Sequence, residues 1–369
     1  MPWRLVPLFV LAIALASCSP NPGTVPPAAG ATPRAPLPAG TPAPSTNQAP
    51  PAPSSTPAPV TLRFGLQRTI SIAGVFVAAD KGYMREQGID LSFEELTAGS
   101  DIMTQVGAGN LDAGTGSGAA LFNAFHRGLD IKIIGSTQQN APQGEAANTI
   151  VVRSDLLDNG TIRGVRDLKG REIAVNARGV ASEYIVDRIL REEGLTVADV
   201  QLVAVPFPDM PAALANGVLE VAFSTEPYIT QVEATGVARR LVPNKPAGEQ
   251  ITVLLINTDF VRAHPSVDVR FMTAYLRAAR ELQGDGWNRD DVVQILEKYT
   301  RLPADIIRRS VKPYIDPNGR LNAASLEAQQ RYFMENGFLQ YRDLIPVERM
   351  VDAPVAVEAV RRLGGEYRP

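Results

Sequence analysis

One pattern occurs twice in this chain and restricts its possible folds more than any other feature. Asp101, Leu111 and Asp112 are matched, at one constant offset, by Asp209, Leu219 and Glu220. Around each set a helical stretch runs into a glycine turn and then a short apolar strand. The first copy sits within an alternation of strands at 60–65, 89–93, 111–113 and 131–134 with helices from Ala73 to Gly82 or Gly88, at 100–109 and at 119–127. The second copy has strands at 173–175, 200–204 and 219–223 with helices at 181–193 and 209–216. Ser100 and Asp209 are placed to cap their helices. Alternation of this kind predicts mostly parallel sheets with helices on both faces, here as two similar α/β lobes facing each other across a cleft.

The N-terminus bears on compartment. Arg4 precedes an apolar stretch, 5–16, shorter than the roughly 20 residues of a membrane span and suited to the h-region of a signal peptide. It ends in Leu15-Ala16-Ser17-Cys18, which resembles the bacterial lipobox. That resemblance implies cleavage before Cys18, a diacylglyceryl group on its sulfur and an extracytoplasmic protein anchored by lipid to the bacterial membrane. Residues 1–17 are then a signal peptide, and 18–60 the lipidated cysteine and its tether. Proline makes up about a third of the tether and Arg34 is its only charge, a composition that favours extended chain over a packed core.

Several functions are disfavoured. The net charge is −3 and no dense Lys/Arg run occurs, which argues against a nucleic-acid partner. Cys18 is the only cysteine, and His126 and His264 are the only histidines, so no metal site is expected; His126 reads as a partly buried structural residue. No H-E-x-x-H or G-x-S-x-G motif is present, and no catalytic residue is assigned. Residues 114–119 fit G-x-G-x-x-A, but in the third βα unit and after a very short strand, unlike a dinucleotide site. They read instead as a glycine turn presenting backbone amides at a helix N-terminus, and no cofactor is expected.

An ordered series of segments carries a family resemblance. Residues 77–91 (VAADKGYMREQGIDL), 106–114 (VGAGNLDAG), 165–175 (VRDLKGREIAV), 212–217 (AALANG) and Thr225-Glu226-Pro227 resemble the nitrate-, sulfonate-, taurine- and pyrimidine-precursor-binding proteins of ABC importers. The resemblance covers most of residues 61–260. It implies a type II periplasmic-binding-protein fold with a ligand cleft between two α/β lobes, a two-strand hinge, and an ABC permease in the membrane as partner. The crossovers are expected at 149–153 and 251–256. Lobe I then comprises 61–152 plus 252–369 and lobe II 153–251, with helices at 267–282, 289–299 and 323–336 packed around the first sheet. A monomer is expected.

Ligand contacts are expected from loops at the carboxyl ends of the strands, where open α/β sheets bind. In lobe I these are Gln67, Arg68, Thr69 and Ile70, Ser100, Gly116 and Ser117, and Gln138, Gln139 and Asn140. In lobe II they are Asn176 and Arg178, Phe207 and Asp209, and Thr225 and Glu226. Arg68 and Arg178 are expected to face each other and suit an organic anion; Asp209 and Glu226 suit an amine. Phe76, Tyr184 and Phe207 are candidates to stack on a flat ring. Together these features point to a binding protein for a small molecule, either a nitrate-, sulfonate- or taurine-like anion or a pyrimidine or aromatic precursor. An extracytoplasmic sensor for a signalling partner is the alternative, ahead of a small-molecule enzyme on the same fold.

Overall fold

In β1 (Val60–Leu66), Leu62 and Phe64 are fully buried while Thr61 and Arg63 face outward, the two-residue period of a strand with one face in a core. The computed structural model describes residues 59–141, 144–242 and 246–368. Cys18 and the expected signal peptide and tether, up to residue 58, lie outside the described residues. The other strands are β2 (Ile89–Glu95), β3 (Ala113–Gly116), β4 (Ile131–Gln139), β5 (Asn148–Arg153), β6 (Glu172–Val175), β7 (Gln201–Ala204), β8 (Val221–Thr225), β9 (Ala238–Arg240) and β10 (Gln250–Asn257). They form two five-stranded sheets, in the orders β2-β1-β3-β10-β4 and β7-β6-β8-β5-β9.

The two sheets have the same construction. Three strands are parallel, β2-β1-β3 and β7-β6-β8. A fourth, β10 or β5, runs antiparallel beside them and pairs on its other side with β4 or β9. Each sheet therefore takes its fourth strand from the chain that has just left the other lobe. This is the two-lobed arrangement with two passages that the resemblance implied.

The duplicated acids have a shared structural role. Asp112 accepts hydrogen bonds from the guanidinium of Arg63 at 2.7 and 3.0 Å, and Glu220 pairs with Arg171 at 2.9 Å. Each acid precedes the third parallel strand of its sheet and holds an arginine on, or just before, the first. Arg63 and Arg171 stand at the same offset as the acids.

Some boundaries differ from expectation. The whole of β5 pairs within the second sheet, so the first passage falls between Gln139 and Asn148, ahead of the expected 149–153. The second falls between Arg240 and Gln250. β3 begins at Ala113 and β8 at Val221, two residues later than read, because Leu111 and Leu219 still belong to the turns, their amides bonding back to Gln105 and Ala213. Ser100 is not a cap: helix Gly99–Gly107 starts after Ala98, and the Ser100 side chain makes no capping bond. Asp209 occupies the N-cap of Met210–Ala215 without a side-chain bond.

The C-terminal helices explain how lobe I is completed. Val267–Glu281 lays Phe271 and Tyr275 against the first sheet, with the Phe271 ring stacked on Phe64. Helix Asp290–Thr300 joins the same core. Helix Ala323–Glu335 differs from expectation: its Phe333 packs on Phe122 of lobe I and its Tyr332 on Tyr184 of lobe II, so it spans both lobes. Among the described residues no helix is long and apolar enough to cross a membrane.

Residues 114–116 are not the expected glycine turn but strand, and their glycines answer to packing. A Cβ on Gly114 would lie 2.4 Å from the buried Ile102 side chain, and one on Gly116 would lie 2.5 Å from Met103 Sδ and from Leu255. Helix Gly99–Gly107 therefore sits closer to β3 than any side chain there allows. Gly114→Ala should cost about 1–3 kcal/mol and lower the Tm by several degrees, measured by calorimetry on the purified protein.

Candidate functional site

The lobes meet around a cavity, and contacts between them narrow its edge. Ala119 N donates to Gly179 O across the cleft at 2.8 Å, and Tyr228 OH of lobe II donates to Arg68 O of lobe I at 2.8 Å. Gly118 and Gly179 have φ of 76° and 69°, left-handed values that favour glycine. A Cβ on Gly118 would stand 2.3 Å from Gly179 O. Glycine at these two positions lets the lobes close to backbone contact.

Inside, the lining comes from both lobes. Lobe I supplies Gln67, Thr69, Ser71, Gly99, Thr115, Gly116, Ser117, Gln138, Ile251 and Thr252; lobe II supplies Asn148, Asn176, Val180, Ala181, Ser182, Phe207, Phe223 and Thr225. No charged side chain is among them. Three helices begin at the cavity: Gly99–Gly107, Gly118–His126 behind Ser117, and Ala181–Glu192 behind Val180. Their N-termini give the cavity a positive potential with no cation in it.

Half of the expected site residues meet here: Gln67, Thr69, Gly116, Ser117, Gln138, Asn176, Phe207 and Thr225. The other half do not line the cavity, for identifiable reasons. Arg68 pairs with Glu95 at 2.6 Å. Arg178 turns to the buried Glu183 with a two-pronged contact at 2.9 and 3.1 Å, so the two arginines do not face each other across a ligand. Ile70 is core. Ser100 lies one residue beyond the lining Gly99. Gln139 alternates away from Gln138 and bonds Arg320 O, and Asn140 bonds Pro246 O. Asp209 is exposed. Of the aromatic candidates only Phe207 lines the cavity; Phe76 is stacked on Tyr299 in the core and Tyr184 OH bonds Glu249. His126 is exposed rather than partly buried as expected, because it ends its helix on the outer face, where its ring stacks on Tyr341.

Glu226 lies immediately behind the lining, with no exposure. Burial pushes its carboxyl up, against the guanidinium of Arg240 and the hydrogen bonds from Thr230 and Val311. It is a structural ion pair rather than a ligand contact.

Ser71, Thr115, Asn148, Ser182, Phe223 and Thr252 were not anticipated. Asn148 and Thr252 sit at the starts of the strands that follow each passage, so placing the passages a few residues earlier would have exposed Asn148 as a cleft residue.

Two α/β lobes joined by two passages, with a polar cavity between them, are the fold of the periplasmic solute-binding proteins. The NMT1/THI5-like family description matches residues 69–285, and the chain belongs to that family. The riboflavin-binding protein RibY of Chloroflexus aurantiacus is 27% identical over 190 residues, which cover 51% of this chain and only half of that protein's length. The alkanesulfonate-binding protein SsuA of Xanthomonas axonopodis pv. citri, solved with MOPS bound, superposes with a TM-score of 0.63 at 23% identity, covering 81% of this chain and 98% of that one. The nitrate-binding protein NrtA of Synechocystis PCC 6803 superposes with a TM-score of 0.66 at 15% identity, covering 83% and 89%. The fold also hosts an enzyme: the desulfurization enzyme DszB superposes with a TM-score of 0.55 at 18% identity, covering 82% of this chain and 99% of that one.

Next to Glu226, Lys312 donates to the carbonyls of Ile307 and Arg308. Burial lowers its ammonium to about 8, against the pull of Glu226. The unfolded chain therefore holds more protons than the folded one between pH 8 and the ordinary lysine value, so this group adds stability as pH rises through that window. The stability of wild type relative to Lys312→Met should accordingly increase between pH 8 and 10, as read from urea unfolding midpoints.

Proposed function

We propose that this chain is the capture subunit of an ABC importer, tethered outside the membrane through Cys18, and that it closes its two lobes on a small polar solute. The observation that carries this reading is the cavity itself: both lobes build it, contacts between the lobes narrow its edge, and its lining holds no titratable side chain. A cavity walled by both lobes widens when they part and narrows when they close. Contacts that exist only in the closed form then shift the population toward it. A 100-fold preference for the closed form is worth about 2.7 kcal/mol, enough to turn a minor closed population into the dominant one. The closed shape is what a permease would recognise.

The same lining supports capture over turnover. General acid–base chemistry and nucleophile activation need a titratable group within reach of the reacting atoms, and the serines and threonines here have no such neighbour in the lining. The solute is not cationic either. An amine would need an acid beside it, and the two candidate acids, Asp209 and Glu226, are respectively outside the lining and paired with Arg240.

Small-angle scattering of the purified protein tests closure. A bound solute should reduce the radius of gyration, and Gly118→Ala, which sets a methyl against Gly179 O, should block most of that reduction and weaken binding about tenfold or more. Unchanged dimensions at saturation would count against capture by closure.

A further inference from the structure

Most of the cavity's polar lining is already matched. Thr69 and Ser71 share a hydrogen bond at 2.5 Å, Ser182 Oγ donates to Asn176 at 2.6 Å, and Thr252 pairs with Thr137 at 2.6 Å. Two side chains stand apart. Asn148 is 2% exposed, and among the described residues neither its Nδ2 nor its Oδ1 has a partner. Gln138 is also 2% exposed, with an unpartnered Nε2. Both line the cavity, Asn148 at the start of β5 in lobe II and Gln138 on β4 in lobe I. Buried polar atoms left unmatched are costly and rare, and at a ligand cavity they mark what the ligand supplies.

Because both terminal atoms of Asn148 are bare, the conclusion does not depend on which way the carboxamide is turned. Its occupant must present a donor and an acceptor side by side. Nitrate and a simple alkanesulfonate present acceptors only and leave the carboxamide oxygen bare. An N–H next to a C=O, as in a lactam or cyclic imide, matches a carboxamide atom for atom in two parallel hydrogen bonds, the geometry by which Asn and Gln read a base edge. An imide has a second carbonyl flanking the same N–H, and Gln138 Nε2 on the opposite lobe is the free donor for it. Phe207 and Phe223 supply aromatic surface for a flat ring.

We infer that Asn148 is the specificity-determining residue of the cleft and that the captured solute is a ring bearing an imide or lactam edge. The inference rests on the capture reading and narrows it. It draws on both lobes, since Gln138 stands near the end of β4 in lobe I and Asn148 opens β5 in lobe II.

Isothermal titration of the full chain with uracil, riboflavin, ethanesulfonate and sodium nitrate tests it, alongside Asn148→Leu and Asn148→Asp. The aspartate variant keeps the side chain's shape and removes its donor, and melting of each variant without ligand verifies folding. Uracil or riboflavin should bind wild type, and both substitutions should weaken that binding about 10- to 100-fold. Imide binding indifferent to both substitutions overturns the inference, as does binding of ethanesulfonate or nitrate in place of the imides, or of none of the four probes. Scattering separates the two readings: a bound sulfonate or nitrate that compacts the protein leaves capture standing, whereas a bound probe that leaves its dimensions unchanged counts against capture itself.

Discussion

The chain crosses between the lobes twice, and each time the strand that follows is laid into the interior of a sheet rather than along its edge. β5 pairs with β8 on one side and β9 on the other, and β10 with β3 and β4. Strands held on both sides cannot slip without losing two ladders, so the ends of both passages are fixed points. Asn148 opens β5, and Gln250, Ile251 and Thr252 open β10. Hinge and binding site are thereby built from the same residues, so a change of lobe angle is felt directly by the lining. Gln250 shows how firmly this point is held: its Nε2 donates to Ser136 Oγ and to the carbonyls of Gln138 and Thr252.

The duplicated architecture was legible because period and punctuation survive in the sequence. Alternating apolar residues, glycine turns and the constant offset all follow from backbone geometry that both lobes share. The clamp of Asp112 on Arg63 and of Glu220 on Arg171 gives that offset a physical basis: an acid ahead of the third strand fastens the first. Strand starts were less legible. Leu111 and Leu219 are buried and read as strand, yet burial also occurs in the turn that precedes one. The first passage was misplaced for a similar reason, since residues 149–153 are as apolar as a core strand and are one.

The site was half legible. Loops at strand ends found Gln67, Thr69, Ser117, Gln138, Asn176 and Thr225, because topology alone brings such positions to the cleft. Charge misled. Arg68 and Arg178 are in the right loops, but an arginine reaches far enough to choose among several acids, and here Glu95 and Glu183 hold them. Sequence position fixes where a backbone lies far better than where a long side chain ends. The converse holds for Asn148: a short side chain on a strand start has little freedom, and its importance shows only once the strand's pairing is known.

Closure also has a reverse side, away from the ligand. Glu183 and Glu226 of lobe II, and Glu249 of the second passage, are buried. All three accept from the C-terminal segment that completes lobe I: Glu183 from Tyr332 OH, Glu226 from Val311 N, and Glu249 from Ser325 Oγ. Each also holds a partner in lobe II, respectively Arg178, Arg240 and Tyr184. A buried carboxylate stripped of one such partner is expensive, so these contacts resist separation at the back of the lobes. The front is held by few bonds, Ala119 to Gly179 and Tyr228 to Arg68 among them. The proposed opening would therefore be cheaper at the front, and motion about the passages would be a hinge rather than a dissociation. Such a molecule needs a solute to supply only the front-side contacts, and a neutral lining suffices. The three helix N-termini and two carboxamides offer directional bonds without the desolvation cost of burying an arginine in a cavity that must empty again when the solute is released.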